Sequence, residues 1–171
     1  MLKKITDRFY LGIISGLGGN LAKIAVERFS NKIGFSKSNG YHTAAGIFLT
    51  KSKILSPYGK AVGIIADNMI AMGLGVTCIY WLTLMGKDKN LIKGAGLGAA
   101  EWAVLYGVAS RIGATSIFPV KPKDALSTFI SHLVFGVTKM TIAVNLGDDR
   151  LFKPNNLTLE IKEPQNLLSQ T

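Results

Sequence analysis

The chain has 171 residues, of which 48% are apolar and only 18% are charged, and its mean hydropathy is +0.30. Soluble domains usually carry about a quarter charged residues, so this composition is typical of a membrane protein. It excludes a disordered chain, a collagen-like chain and a protein held by internal disulfides, since Cys78 is the one cysteine. The formal net charge of +10 would fit a nucleic-acid-binding protein only if the basic residues formed one soluble face.

Four apolar runs are each near the roughly 20 residues that cross the hydrocarbon core of a bilayer. The runs cover residues 9–29, 61–85, 94–112 and 125–146. The second has no charged residue from Asn68 to Gly86, and Tyr80 and Trp81 near its end are typical of the headgroup region. The alternative, core helices of a soluble bundle, would require a broad charged face on each helix, and no run has one.

These runs predict an all-α, polytopic membrane protein with a bundle of four transmembrane helices in residues 1–147 and a polar C-terminal tail in residues 148–171. The long loop between helices 1 and 2, residues 30–60, is called loop 1 below. Its apolar patch, 43–49, favours a short interfacial or re-entrant helix. The tail has one alternating stretch, 157–161, which could form a strand, a partner-docking segment or loose chain.

Most of the basic residues flank the apolar runs. Lys3, Lys4 and Arg8 precede the first run, and Lys87 follows the second. Bases at the ends of apolar runs reach lipid phosphates, so the expected partner is the lipid bilayer and not nucleic acid. The two sides carry equal numbers of loop bases, so the positive-inside rule does not decide the orientation. The short basic hairpin 86–93 favours a model with both termini inside.

Each predicted helix carries small and ionisable residues on one stripe. Gly12, Gly16, Lys23 and Glu27 fall within an arc of about 100° on helix 1. Because this arc carries charges, it cannot face lipid. Small residues spaced by four let helices approach closely, so the stripes should meet inside the bundle. The predicted helix-packing glycines are Gly12, Gly16, Gly19, Gly63, Gly94, Gly98 and Gly136.

The polar members of these stripes predict a buried pocket. Its expected residues are Asn20, Lys23, Glu27, Asp67, Asn68, Glu101, His132 and Lys139. A charge left alone at mid-membrane costs at least about 2.5 to 3.5 kcal/mol, so both lysines should be neutralised by carboxylates. Lys23 and Glu27, at i and i+4, can pair within helix 1, while Asp67 and Glu101 are the other available partners. The depths of these residues predict a pocket that opens on the loop 1 side.

Two interpretations of the pocket stay open. Ionisable groups in a low-dielectric site suit a proton relay or an ion path. They equally suit structural ion pairs and hydrogen bonds that fix the register of the helices. His132, which follows Ser131 on helix 4, is by itself more often a packing hydrogen-bonder than a relay.

The same residues resemble a bacterial inner-membrane family, that of YagU, to which the YqhR-type proteins are similar. Gly12, Gly16, Lys23 and Glu27 match its G-x3-G-x6-K-x3-E pattern, Ser131-His132-Leu133-Val134 resembles its GHLV, and residues 93–100 resemble its QGLLAGA segment. The resemblance covers residues 11 to about 146. It implies a multi-pass protein of the bacterial cytoplasmic (inner) membrane, loosely associated with acid tolerance, and gives no reaction. Loop 1 bears cysteine in that family and none here.

The sequence has no enzyme pattern. Ser131 and His132 are neighbours on a helix and point about 100° apart, so they do not form a nucleophile and base. A metal site would need loop 1 to bring His42 over Asp67, and no phosphate-binding glycine loop follows a strand. We therefore predict no catalytic residue, no metal and no cofactor, and an intramembrane enzyme stays the least favoured interpretation.

Two function classes remain. The preferred one is a homo-oligomeric channel- or carrier-like protein for a proton, an ion or a small solute, because four helices alone enclose little space. The alternative is a non-catalytic subunit or scaffold that assembles with another membrane protein, its charges pairing across that interface. Glycine stripes serve both, so the presence of a homo-oligomer or of a foreign partner separates them.

Overall fold

The structure is a computed structural model that describes residues 4–117 and 120–153. Within these ranges the chain is helical and forms no strand, and the prediction of an all-α protein is confirmed. The helices are α1 Arg8–Lys32, α2 Gly40–Ala45, α3 Pro57–Met85, α4 Asn90–Trp102, a π-helical segment Ala103–Val108, α5 Ala109–Arg111, α6 Pro122–Leu146 and a 3-10 turn Asp149–Phe152. The tail stretch 157–161 lies outside the described residues.

Three of these helices, α1, α3 and α6, are long and apolar enough to cross a membrane. They have 25, 29 and 25 residues, or about 37 to 44 Å at 1.5 Å per residue. Large apolar side chains such as Leu21, Ile65 and Leu84 are exposed on their outer faces. Charged side chains lie inside, and this inversion is expected where the solvent is hydrocarbon. The chain therefore has the features of an integral membrane protein.

The third predicted run, 94–112, is expected to form one continuous helix, and the structure shows it interrupted. The structure divides its helical course into α4, the π-helical segment and α5, of 13, 6 and 3 residues. The course starts at Asn90 and ends at Arg111, close to the predicted bounds. The π-helical segment turns Tyr106 into the interior, where only 8% of the residue is exposed.

Local sequence explains where the long helices begin and end. The Asp7 carboxylate accepts a hydrogen bond from the Tyr10 amide at 2.6 Å, and the Ser56 hydroxyl accepts one from the Gly59 amide at 3.0 Å. Proline opens both α3 and α6, where its missing amide costs no hydrogen bond. Gly86 ends α3 with a φ of 72°, in the left-handed region that favours glycine.

Close backbone contacts join the helices in the order α3, α1, α6, α4. Any Cβ at Gly16 would overlap the backbone of Ala71 on α3, and one at Gly19 would meet Phe135 on α6. On the other side, Gly98 of α4 lies against the carbonyl of His132. The outer pair, α3 and the helical course from α4 to α5, make at most isolated contacts with each other. The arrangement is therefore a row that curves around an interior and stays open between its two ends.

The predicted packing glycines all lie at close approaches. Gly12 and Gly16 face α3, Gly19 faces α6, Gly63 faces the backbone of α2, and Gly94 and Gly98 face Gly136 or its neighbours on α6. Gly75, which the stripe analysis left out, lies against the backbone of α1 at Gly12 and Gly16. Loop 1 contains α2, which begins three residues before the apolar patch 43–49 and packs on α3.

Candidate functional site

The inner faces of α1 and α3 meet at a buried ion pair. Lys23 Nζ lies 2.5 Å from Asp67 Oδ1, and the side chains are only 6% and 9% exposed. Each residue is on the glycine-bearing stripe of its helix, which brings the two backbones close enough for the pair to form. An opposite charge within hydrogen-bond distance offsets much of the cost of holding either ion away from water.

Two asparagines complete the surroundings of the Asp67 carboxylate. Asn20 Nδ2 donates to Asp67 Oδ2 at 3.1 Å and to Asn68 Oδ1 at 3.3 Å. Asn68 Nδ2 in turn donates to the carbonyl of Ile64 at 2.8 Å. Asp67 thus receives one donor on each carboxylate oxygen, which holds it in place.

Glu27 binds loop 1 rather than Lys23. Its Oε2 accepts a hydrogen bond from the Gly40 amide at 3.0 Å, and its Oε1 accepts one from Ser131 Oγ at 3.4 Å. The anticipated i, i+4 pairing within helix 1 is therefore not the one that forms, because Asp67 on the facing helix reaches the ammonium of Lys23 first. Glu27 instead accepts the hydrogen bond of a backbone amide in the first turn of α2, where helix amides have no partner within the helix.

Gly40 closes this cluster from the loop 1 side. A Cβ at this position would lie 2.8 Å from Lys23 Nζ, 3.1 Å from Asp67 Oδ1 and 3.2 Å from Glu27 Oε1. The backbone of α2 therefore lies directly on the three charged groups, and a side chain at this position would require the Lys23 ammonium to shift. Asn20, Lys23, Glu27, Asp67 and Asn68 are called the loop-side cluster below.

His132 stands on α6 beside this cluster. Its Nδ1 is 2.8 Å from the Thr128 carbonyl on the same helix, and only 3% of the residue is exposed. The ring of Tyr106 meets the imidazole edge-on, with centroids 5.3 Å apart. The single hydroxyl proton of Ser131 lies between two acceptors, the Thr128 carbonyl at 2.8 Å and Glu27 Oε1 at 3.4 Å. Ser131 therefore does not donate to His132 as a nucleophile would to its base.

The remaining two predicted pocket residues form a second, separate site. Lys139 on α6 makes an ion pair with Glu101 on α4, and its side chain is completely buried. Lys139 Nζ also lies 4.2 Å from the centroid of the Phe135 ring. Glu101 Oε2 has no hydrogen-bond partner among the described residues. Lys139 and Glu101 are called the inner pair.

The single pocket expected from the stripes is thus two sites at different depths. Lys139 follows His132 by seven positions, or about 10 Å along the helix axis. Phe135, which is 2% exposed, lies between the two levels on α6. Each lysine is neutralised by a carboxylate from a neighbouring outer helix, α3 for Lys23 and α4 for Lys139.

A cavity of about 570 Å³, including space open to the outside, adjoins the loop-side cluster. Lys23, Asp67 and His132 form its polar wall, and Phe135 lies at its inner end. Gly40, Thr43 and Ala44 of α2 cover it from the loop 1 side, and Tyr106 borders it on the π-helical segment. Sequence reasoning missed Gly40, Tyr106 and Phe135, because none of them carries a charge on a predicted stripe.

Loop 1 folds back over α3, but it does not create a metal site. The described residues contain no group of three His, Cys, Asp or Glu side chains close enough to hold a metal ion. The His42 ring instead packs on Tyr41, with centroids 4.3 Å apart. Burial lowers the pKa of His42, and the nearby positive charge of Lys60 lowers it further.

Comparison with protein-family models, with curated proteins and with solved structures finds no match to this chain. The resemblance to the YagU family therefore stays a prediction from a few residues. The site itself offers two buried ion pairs, one additional carboxylate and a cavity with a polar wall. These are groups that can bind a polar solute or hold a proton inside a membrane.

Proposed function

We propose that the protein is a four-span, carrier-like membrane protein that works as a homo-oligomer and binds a proton or a small solute at the loop-side cluster. The observation that carries this proposal is the burial of one lysine and two carboxylates, Lys23, Glu27 and Asp67, in a cluster of which Lys23 and Asp67 line a cavity. Buried ionisable groups inside a membrane bundle are costly, and groups of this kind line the solute and proton paths of transporters.

The fourth span in this proposal is the helical course from Asn90 to Arg111. At 1.5 Å per residue its three parts measure about 33 Å, which is enough to cross the hydrocarbon core. Lys89 and Lys93 flank one end and Arg111 lies at the other, as expected for a span with both ends at lipid headgroups. Four spans would place both termini on one side of the membrane.

The charge of the loop-side cluster supports a binding role. With all three ionisable groups charged, the cluster has one positive and two negative charges, a net charge of −1. The amide of Gly40 and the hydroxyl of Ser131 solvate Glu27 but supply no positive charge. A proton would complete the neutralisation that a low-dielectric site favours, and a neutral polar solute would add hydrogen bonds to the cluster without changing its charge.

A carrier fits the geometry better than an open pore. Phe135 and the inner pair fill the space between the cavity and the terminal side of the bundle. A solute bound at the loop-side cluster could therefore pass only after these side chains move, as in alternating access. Gly73, Gly96 and Gly107 have open space around them, so a second copy of the chain could approach closely there.

The family assignment forms part of the same proposal. Gly12 and Gly16, which carry the resemblance to the YagU family, lie at the closest approach of α1 to α3. Lys23 and Glu27 of the same pattern belong to the loop-side cluster. A pattern that specifies both a helix contact and a buried charge cluster supports a shared architecture in the bacterial cytoplasmic membrane.

The test is proton flux into liposomes that contain the purified protein, read with an enclosed pH-sensitive dye. The double variant Lys23→Met with Asp67→Asn removes both members of the ion pair together, so neither is left buried without its partner, and Glu27 keeps its hydrogen bond from the Gly40 amide. Asp88→Asn, which changes an exposed carboxylate outside the spans, is the control. We expect flux in the wild type and the control and none in the double variant; equal flux in all three would overturn the proposal.

The same open glycines also support the scaffold alternative, because a helix of another protein could pack on them as closely as a second copy of this chain. Native mass spectrometry of the protein extracted gently from its own membrane distinguishes the two. A homo-oligomer of defined copy number supports the carrier. A stoichiometric complex with another membrane protein, and no flux from the isolated chain, would support the scaffold.

A further inference from the structure

The cavity beside the loop-side cluster has an apolar side that faces the bilayer. Ile70 and Leu74 on α3 line one edge, and Leu105 and Ala109 on the π-helical segment and α5 line the other. All four are partly exposed, and the two edges belong to helices that make at most isolated contacts with each other. Ile70 and Leu74 lie near the middle of α3, so this gap is at the level of lipid tails.

The opposite wall offers a hydrogen-bond acceptor. A carbonyl oxygen can only accept, so the contact of His132 Nδ1 with the Thr128 carbonyl requires a proton on Nδ1. In the neutral imidazole this leaves Nε2 as an acceptor. Among the described residues, no donor lies within hydrogen-bond distance of Nε2, although His132 is 97% buried and lines the cavity.

The charges around the cavity restrict the head group of a ligand. A carboxylate or phosphate would meet the net negative charge of the loop-side cluster, where Lys23 is already paired with Asp67. An ammonium head would have to lose its hydration next to the Lys23 ammonium, which lines the same wall. A neutral hydroxyl avoids both costs and donates the hydrogen bond that His132 can accept.

We propose that this cavity binds a neutral amphiphile, an apolar chain or ring with one hydroxyl head, which reaches it sideways from the bilayer between α3 and the π-helical segment. The hydroxyl donates to His132 Nε2 and the apolar part lies along Ile70, Leu74, Leu105 and Ala109. This inference rests on the proposed function, since it names the class of solute.

The experiment is photolabelling of the wild-type protein in lipid nanodiscs with a decanol that carries a diazirine in its chain. We expect labelled peptides that contain residues 70–74 and 105–109, and loss of this labelling with excess decanol. Decanoate and decylamine of the same chain length should compete at least about fivefold more weakly, the discrimination expected for about one hydrogen bond. Equal competition by all three, or labelling spread evenly over the lipid-facing helices, would overturn the inference.

Two substitutions with a matched control locate the site. His132→Phe keeps a ring but removes the acceptor, and should weaken decanol competition about fivefold. Ala109→Phe fills the gap between the two edges and should abolish specific labelling. Val108→Phe, a neighbouring change on the exposed face, should leave labelling unchanged. Unchanged labelling in Ala109→Phe would contradict access through the gap.

The outcomes also separate this inference from the carrier proposal. Specific labelling without proton flux would support the amphiphile-binding site and contradict the carrier proposal. Proton flux that depends on the loop-side cluster, without specific decanol labelling, would keep the carrier and overturn the amphiphile.

Discussion

The half of the bundle next to loop 1 holds the loop-side cluster and a cavity, whereas the half next to the termini holds the inner pair and a filled apolar core. Beside the loop-side cluster, Lys23, Asp67 and His132 form the polar wall of a cavity whose other lining residues are mostly apolar. At the other end, Leu11, Ile79, Leu82 and Met140 form a core in which none of these side chains is exposed. The same four long helical segments thus support two interiors. We infer that the terminal half supplies most of the stability and the loop 1 half supplies the function.

The terminal half is also closed by its backbone. The Ile5 amide donates to the Leu146 carbonyl, and the Asp148 amide donates to the Ile5 carbonyl, both at 2.9 Å. The 3-10 turn Asp149–Phe152 then places Leu151 and Phe152 on the apolar core. Loop 1 covers the other end with α2, which meets the cluster mainly through Gly40 and Glu27. This cover is itself anchored, since α2 packs on α3 at Gly63 and Thr115 Oγ1 donates to the Thr43 carbonyl at 3.0 Å.

The largest effect on stability is expected from Asp67→Asn. This change leaves Lys23 buried with no carboxylate within ion-pair distance, and breaking a buried pair in this way costs about 3–5 kcal/mol. Thermal unfolding in detergent should show a large decrease in melting temperature. Adding Lys23→Met should restore much of it, and a melting temperature unchanged by Asp67→Asn would show that the pair does not stabilise the bundle.

A smaller but still clear effect is expected at the contact of α4 with α6. A Cβ in Gly98→Ala would overlap the His132 carbonyl, and overpacking of this kind typically costs about 1–3 kcal/mol. Gly96→Ala is the matched control, since nothing lies within 4 Å of its added Cβ. Size-exclusion profiles after heating compare the two variants. Equal thermal resistance would mean that α4 does not approach α6 as closely as described.

Thr83→Val tests the closure of the terminal half. The Thr83 hydroxyl lies 2.9 Å from two acceptors, the Leu151 carbonyl and the Ile79 carbonyl of its own helix, which share its one proton. Its loss should cost about 1 kcal/mol. Hydrogen exchange should become faster for the amides of residues 147–153 and stay the same in α2. Faster exchange in α2 as well would indicate that the two ends of the bundle are not independent.

The smallest effect is a pH dependence in loop 1. The pKa of His42 is lowered in the folded state from an ordinary value of 6.5, so folding favours its neutral form. The stabilisation is complete above that value and is lost as the pH falls below it, because the unfolded chain takes up the proton first. Melting temperature should therefore fall on acidification, and His42→Gln should reduce the slope. An identical slope in His42→Gln would assign the effect to other groups.

The sequence was informative about the helices and the residues on their inner stripes. Periodicity places Lys23 and Asp67 on inward faces, and the glycines beside them require close neighbours. The choice of partner could not be predicted, because the sequence offers both Glu27 and Asp67 as partners of Lys23 and only the relative position of α1 and α3 decides between them. Local spacing favoured the pair within helix 1, and tertiary contact favoured the pair between helices.

Two features of the cavity also depend on tertiary structure. Gly40 lies in loop 1, where nothing in the neighbouring residues shows that α2 will fold over three charges. Tyr106 reaches the interior through the π-helical segment, and a regular 3.6-residue period does not represent such a segment. The division of the polar residues into two sites likewise follows from Phe135, an apolar residue that a search for charges passes over.

The most direct test of the carrier is proton flux in the Glu27→Gln variant. Glutamine keeps an oxygen that can accept the Gly40 amide hydrogen and leaves the Lys23–Asp67 pair intact, so the variant should fold with nearly the wild-type melting temperature. Flux should nevertheless be lost, because the titratable carboxylate is gone, whereas Asp149→Asn, an exposed change outside the spans, should conduct normally. Undiminished flux in Glu27→Gln would contradict the account and leave the loop-side cluster as a structural device.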